Sequence, residues 1–483
     1  MSAPTPATHD PSTSSADRRV LLWLVAIGFF MQTLDATIIN TALPAMAASL
    51  GESPLRMQSV IVAYSLTMAM LIPASGWLAD RFGTRRVFML AIALFSLGSL
   101  ACAGSRGLGE LVAARVLQGL GGALLLPVGR LSVLRTFPRG EFLQAMSFVA
   151  IPGLIGPLLG PTLGGWLVQY ASWHWIFLIN LPVGLIGLVA TQRFMPDARA
   201  EQTRRFDLWG YALLAFGMVA ISLAIEGGSG LGMRQAGSLV LGVFGFAALV
   251  VYWLHAVRHP QPLFSTQLFR VRTLSVGLLG NLFCRLGSGA MPFLIPISLQ
   301  ISLGYSPLQA GLMMLPTALA GMAMKRVATP LILRFGYRNV LVGNTAIIGL
   351  LMASFALATP GEPIWLRVLQ LAAFGAFNSL QFTAMNTITL KDLDGASASS
   401  GNSLLSMVQM LAMSLGVAVA GAVLSGFSAA FGGTGTPGAA LEAFQATFVT
   451  VGLITLASAA VFWQLPAEAR APQLDGPEVS GHG

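Results

Sequence analysis

Residues 76–86 read G-W-L-A-D-R-F-G-T-R-R, and they lie between two long apolar runs. An apolar run alone says only that a chain prefers oil. A run that stops on Gly-x-x-x-Asp-Arg-x-Gly and two further arginines also says which end faces the cytoplasm and how two spans are latched. Gly76 permits close helix approach, and Gly83 supplies a tight turn. Asp80 caps a neighbouring helix or pairs with an arginine. Arg81, Arg85 and Arg86 hold the loop at the anionic leaflet, and on the plainer reading they are topology charge only. A second version, R-F-G-Y-R at 334–338, follows Leu333 where the first has Asp80, so the latch is expected to be asymmetric.

The composition agrees with a lipid environment. Of 483 residues, 55% are hydrophobic and 9% charged, and the mean hydropathy is +0.74. Soluble domains carry about 25% charged residues, so most of this surface is expected to meet lipid rather than water. The formal net charge of +9 would suggest nucleic acid in a soluble protein. Here the basic residues fall between apolar runs, so no nucleic-acid partner is expected. Cys102 and Cys284 lie inside spans and read as inert buried thiols. The first run, about Val20 to Leu43, is roughly twice the length of a signal-peptide core and contains Asp35, so it reads as a permanent span.

With about 20 apolar residues per span, fourteen spans are expected, at 20–43, 57–79, 86–104, 109–130, 142–169, 174–194, 208–226, 236–257, 273–301, 307–328, 340–359, 363–386, 399–425 and 441–464. With a cytoplasmic N-terminus, the inside segments hold nineteen basic residues and the outside segments three, Arg56, Arg106 and Arg234. That asymmetry supports the count and puts both termini in the cytoplasm. R-V-L-Q occurs at 115–118 and again at 367–370, and R-F-G-x-R at 81–85 and 334–338, so the two offsets nearly agree. The offset carries spans 1–6 onto spans 9–14. The expected fold is therefore an all-α membrane protein with two pseudo-symmetric six-helix halves, 20–200 and 261–465. A linker pair of helices fills 201–260, and tails 1–19 and 466–483 are cytoplasmic, the first of them disordered.

With these motifs in view, the chain resembles the major facilitator superfamily in its fourteen-span drug:proton antiporter branch. The likeness rests on the 76–86 loop, on L-D-A-T-I-I-N-T-A-L-P at 34–44 and on R-V-L-Q-G at 115–119. It rests also on G-L-I-G-P-L-L-G-P-T-L-G-G at 153–165 and S-W-H-W-I-F-L-I-N-L-P-V-G at 172–184, with His174 where arginine is common. The resemblance implies an exporter, working by alternating access in a bacterial inner membrane, that exchanges protons for drug-like or amphipathic solutes. It implies Asp35 as the coupling site and the stretch at 153–165 as an antiporter motif. In that motif Gly153, Gly156, Gly160, Gly164 and Gly165 would let span 5 pack closely, and Pro157 and Pro161 would bend it. The expected neighbour is span 8 or span 11.

Asp35 is read as the acid placed deep in a span. Burial penalises its charged form, so it is suited to take up a proton on one side and release it on the other. The alternative is a structural hydrogen bond to Thr37, Asn40 or a neighbouring helix. Arg115 lies at a similar depth below the outer face, so the two are expected to pair, with Gln118 one turn on in the same network. The pair is either a switch linked to protonation or a static tie between spans 1 and 4.

Arg285, Lys325, Arg326 and Arg367 have no obvious acid in their half. An unbalanced positive cavity favours an organic or metal-chelating carboxylate anion as the alternative substrate, with snorkelling to phosphates as the plainer reading for Lys325 and Arg326. Gln32, Asn40, Gln118, Asn281 and Asn378 complete the expected substrate site. No phosphate-binding loop is present, and none of the five histidines joins an acid and a nucleophile at recognisable spacing. No enzyme activity, cofactor or metal is therefore expected, and the partners are a small-molecule solute, protons and the bilayer around a monomer.

Overall fold

The computed structural model describes residues 15–200, 205–227, 235–432 and 437–466. Most of both expected tails, together with Arg204, Arg234, His9 and His482, lies outside the described residues. The described residues are helices joined by short turns. Fourteen long helices follow the expected spans: α1 Asp17–Thr41, α2 Pro54–Phe82, α3 Thr84–Ala103, α4 Leu108–Thr136, α5 Gly140–Tyr170, α6 Trp175–Phe194, α7 Leu208–Gly227, α8 Ala236–Arg258, α9 Arg272–Ile301, α10 Pro307–Phe335, α11 Tyr337–Leu357, α12 Ile364–Leu390, α13 Ser397–Ala430 and α14 Gly438–Phe462.

Thirteen of these are long and apolar enough to cross a membrane. The exception, α12, has the length but carries Arg367, Gln370, Asn378, Gln381 and Asn386. It packs among its neighbours on α9, α10 and α11, which shelter those polar groups. Residues 17–19, expected in the tail, already belong to α1, whose first turn carries Asp17, a charge that suits a helix N-terminus.

The internal repeat is visible in the backbone. Gly83 has φ 94° and ψ 145°, and Gly336, at the same place in the second half, has φ 77° and ψ 155°. Both turns need the left-handed region, which glycine enters without strain. The helix pairings repeat as well. α1 packs on α5 as α9 does on α13, α2 on α4 as α10 on α12, and α3 on α6 as α11 on α14. Fourteen long helices in this order make an all-α membrane protein of two six-helix halves, with α7 and α8 forming a hairpin between them.

The halves meet along α2 against α13 and α5 against α10, the two members of one symmetry-related pair. α5 and α10 meet closely at the end opposite the N-terminus. A Cβ at Gly165 would collide with the Pro307 carbonyl, and one at Gly311 with the Pro161 carbonyl. At that far end one buried cluster runs across both halves, through Ile38, Met46, Val60, Leu167, Phe293, Ala310, Phe374 and Val417. Toward the N-terminal end the clusters are largely separate. One belongs to the first half around Val25, Phe88 and Leu125, and one to the second around Cys284, Leu341 and Met385. A further cluster, with Leu66 and Leu404, joins α2 and α13 to the hairpin. Lys325 and Arg326, on the part of α10 beyond its contact with α5, are exposed. The halves thus pack closely across the far end, while the contact of α5 with α10 thins toward the other, which we read as the open end.

Adding a side chain at the α5–α10 contact should break this seal. Gly165→Val is expected to open the far end, because its Cβ cannot share space with the Pro307 carbonyl. Ala310→Cys, buried in the parent, should resist a membrane-impermeant maleimide there and react readily in the Gly165→Val background.

Candidate functional site

The sequence R-V-L-Q-G-L-G-G at 115–122 builds the centre of the first half. Arg115 and Gln118, one turn apart, point to the same side of α4. The small residues after them let neighbouring helices close in. Gly121 sits against the α3 backbone at Ala91 and Phe95, and Gly119 against Tyr64 and Thr67 of α2. Gly98 of α3 fits directly over the Gln118 backbone. The polar pair is thereby walled off by close helix contact rather than by bulky side chains.

Asp35 completes the site from α1. Its Oδ2 accepts from Arg115 Nη1 at 2.6 Å, and its Oδ1 accepts from Gln118 Nε2 at 2.7 Å and Asn180 Nδ2 at 3.4 Å. Arg115 Nη1 also reaches Gln118 Oε1 at 2.6 Å, and its Nε donates to the Val60 carbonyl at 3.3 Å. Its guanidinium carbon lies 4.1 Å from the centre of the Tyr64 ring. Ser99 Oγ accepts from both Gln118 and Asn180, at 2.8 and 3.2 Å. Asp35 and Arg115 are each 1% exposed, so the carboxyl faces the interior of the first half, away from lipid and open water. A charge pair this dry persists only because each member is also hydrogen-bonded. The site therefore ties α1, α2, α3, α4 and α6 to the charge state of one carboxylate.

The pairing of Asp35 with Arg115 and Gln118 follows the sequence expectation. Ser99, Asn180 and Tyr64 were not anticipated. Asn180 stood in the quoted 172–184 stretch, but its spacing carries no sign that it folds back on Asp35. Thr37 does not bond Asp35; its hydroxyl donates along α1 to the Thr33 carbonyl at 2.9 Å. Asn40 is buried in a short 3-10 turn, Ile39–Thr41, and has no hydrogen bond to Asp35 either.

The 76–86 loop is tied within the first half. Asp80 pairs with Arg135 at the end of α4. Arg135 also donates to the Ala198 carbonyl at 3.2 Å, and Thr84 bonds the 196–198 backbone. Gly83 leaves room for the Asp197 carboxyl, and Arg86 approaches that carboxyl at 3.9 Å. Arg81 lies over Trp77, and Arg85 is half-buried. Gly76 departs from expectation. It is exposed with nothing near it, because it lies at the open end of the molecule, and so makes no close helix contact here. In the second half Leu333 replaces Asp80 and is exposed, so the asymmetry follows the sequence.

The 153–165 stretch also corrects an expectation. Gly153 fits against Phe29, Gly156 against Thr33, Gly160 against Thr37 and Gly164 against Ile38. This near-fourfold row faces α1 of the same half, not span 8 or span 11, because glycines about four apart line one helix face. Thr37 and Thr41 reach across to the Gly156 and Pro161 carbonyls, at 3.4 and 3.1 Å. Those contacts support the backbone beside Pro157 and Pro161, where a proline removes a helical donor. Gly165 alone of the row reaches the other half, at α10.

The intramembrane cations divide. Arg367, expected to be unbalanced, pairs with Glu362 at 3.0 Å and donates to the Thr359 carbonyl at 3.0 Å. Its acid comes from the loop just before α12, where a span count does not look. Gln370 donates to Ser354 of α11 at 2.8 Å, echoing Gln118 and Ser99. Arg285, midway along α9, has no carboxylate partner among the described residues. It donates to Asn281 Oδ1 at 3.3 Å and lies 4.9 Å from the centre of the Phe382 ring. Gln409 bridges Asn281 and Asn386, at 3.4 and 2.6 Å. Gln32 approaches Met68 Sδ at 4.0 Å, and Asn378 is half-buried in α12. No hydrogen bond joins Gln32, Asn40 or Asn378 to the Arg285 group.

Comparison with known proteins fits this architecture. A family model described as Major Facilitator Superfamily matches residues 25–417. A protein of Serratia proteamaculans named for multidrug resistance, MdtD, is 54% identical over 447 residues, covering 92% of this chain and 93% of its own. Its namesake in Escherichia coli strain 55989 is 52% identical over 447 residues, covering 92% and 94%. Among solved structures, the POT family transporter PepTSo superposes with a TM-score of 0.68 at 15% identity, covering 92% of this chain and 98% of that one. The human organic anion transporter MFSD10 does so with 0.59 at 16% identity, covering 92% and 99%.

The coupling between Asp35 and Arg115 is testable by a double-mutant cycle. Arg115→Met should cost about 3–5 kcal/mol in stability, since it strands a buried carboxylate. Asp35→Asn combined with Arg115→Met should recover most of that loss in thermal unfolding in detergent.

Proposed function

This chain belongs to the major facilitator superfamily of transporters, and on that premise we propose that it is a proton-driven exporter of drug-like or amphipathic small molecules. It works as a monomer in the bacterial inner membrane, with both termini in the cytoplasm. The observation that carries the reading is the sealed network around Asp35. Protonation of its Oδ2 would cancel the charge that Arg115 neutralises and Gln118 hydrogen-bonds, and would loosen a junction of five helices at once. A single proton then changes how those helices pack, which is the coupling an antiporter needs.

The names of the MdtD relatives support drug-like cargo. The positive-inside asymmetry of the loops supports the orientation. With that orientation the open end faces the cytosol, where an exporter collects its solute. The exposed Gly76, beside the Asp80–Arg135 latch, would then meet the opposite half when the cytosolic end closes. The glycine row of α5 supports the motion by letting α1 and α5 move as one piece while Gly165 releases α10.

A second reading is favoured by one specific observation. Arg115 and Arg367 each have an acid, whereas Arg285 has only amides and an aromatic face. Lys325 and Arg326 are exposed on the open side. That imbalance suits an organic or metal-chelating carboxylate anion as cargo.

Proteoliposomes with an imposed pH gradient separate the two readings. Asp35→Asn should keep solute binding and lose pH-driven flux. Full gradient-driven transport by that variant would remove Asp35 from the mechanism. Arg285→Ala should reduce efflux of carboxylate solutes at least about tenfold, the effect of losing roughly 1.4 kcal/mol of binding, and leave cationic dyes nearly unchanged. Equal loss for both charge types would make Arg285 structural.

A further inference from the structure

The α7–α8 hairpin brings together three side chains that neither the transport reading nor the histidine spacing uses. Asp207 directly precedes α7, His255 lies in the last turn of α8, and His259 follows it four residues later. One ligand atom from each lies within 4.8 Å of the others. We propose that Asp207, His255 and His259 form a binding site for a divalent transition-metal cation of the zinc class at the base of this hairpin.

The donor set has the right chemistry. Two imidazoles and one carboxylate are zinc-type ligands at distances of about 2.0–2.2 Å, and three protein ligands leave one position for water. The carboxylate is set in advance. Asp207 is 6% exposed, and its Oδ1 accepts from the Gly210 backbone at 2.9 Å and its Oδ2 from the Leu263 backbone at 3.2 Å. Hydrogen bonds of this kind to a ligand's own oxygens orient it and raise affinity.

The imidazoles are close to ligating positions. His255 Nε2 lies 2.8 Å from Asp207 Oδ1, so a metal would replace the shared proton between them. The His259 ring is stacked 4.9 Å from that of His255. His259 Nδ1 now accepts from the Gln261 backbone at 3.2 Å. Ligation by Nδ1 exchanges that bond for the metal, and needs only a small shift of a half-buried ring. No hydrogen bond or ion pair joins Arg205 or Arg258 to the group.

The place gives the site a consequence. Phe206, next to Asp207, lies 4.8 Å from Trp77 of α2, beside the latch. The segment after His259 runs through Phe264 and Leu268, buried with Leu274 of α9 and Leu404 of α13. A cation held here would clip the strand leaving the first half to the strand entering the second. It would stiffen the one covalent link between halves that must move in transport.

The test uses the full-length protein, purified in detergent through a removable tag without histidines, stripped with EDTA and titrated with Zn²⁺ by calorimetry. The expected result is one saturable site, weakened at least about tenfold in His259→Ala, as for loss of a metal ligand or its support. His259→Ala leaves the Asp207–His255 pair and the Asp207 backbone contacts in place, so its fold should be kept. Its unfolding temperature without metal should match the parent, and a given Zn²⁺ concentration should raise the parent's more than the variant's. Unchanged affinity in His259→Ala, or no saturable Zn²⁺ binding in the parent up to millimolar concentration, would overturn the proposal.

Discussion

One ion pair organises the first half. Asp35 and Arg115 meet at 2.6 Å with almost no exposure. In a medium without water, a lone charge at that depth is expensive, and removing either partner leaves the other stranded. Every neighbour therefore acts to keep the pair wet by proxy. Gln118 bridges it, Ser99 and Asn180 supply further polar contact, and the Val60 carbonyl takes the Nε donor of the guanidinium. Five helices converge because five helices are needed to satisfy two charged groups.

The close approach of those helices depends on missing side chains. Gly119 and Gly121 on α4 and Gly98 on α3 remove the bulk that would hold polar atoms out of hydrogen-bond reach. The row on α5 does the same for α1, which carries Asp35. Helix association in lipid has no hydrophobic drive, so contact area and interhelical hydrogen bonds must supply it. The glycines that admit the contact and the polar groups that use it are parts of one device.

The second half keeps the skeleton and changes the chemistry. Arg367 and Gln370 repeat Arg115 and Gln118, and Gln370 still bonds a serine on the next helix. The acid has moved. Glu362 comes from the loop before α12 rather than from α9. The α9 site instead carries Arg285 among Asn281, Asn386 and Gln409. One half thus buries a balanced ion pair, and the other sets a cation among amides and an aromatic ring.

The order of fourteen long helices, thirteen of them apolar enough to cross a membrane, the two-half repeat and the Asp35–Arg115–Gln118 association were legible in the sequence. Each depends on local quantities: apolar run length, charge between runs, and depth counted at a fixed rise per residue. The pairing of Asp80 with an arginine was legible as a chemical need, though not as Arg135. What the chain alone could not tell is which face meets which. The 153–165 glycines define a smooth helix face, but only the folded bundle turns it toward α1 rather than α8 or α11. Arg367 looked unpaired because its acid lies in a loop. Asn180 is brought to Asp35, and Asp207 to His255 and His259, from segments far apart in sequence. Periodicity along one helix carries the rise and turn of that helix alone. Contacts between helices are chosen by the shape and satisfaction of the whole bundle, and those exist only once it has closed.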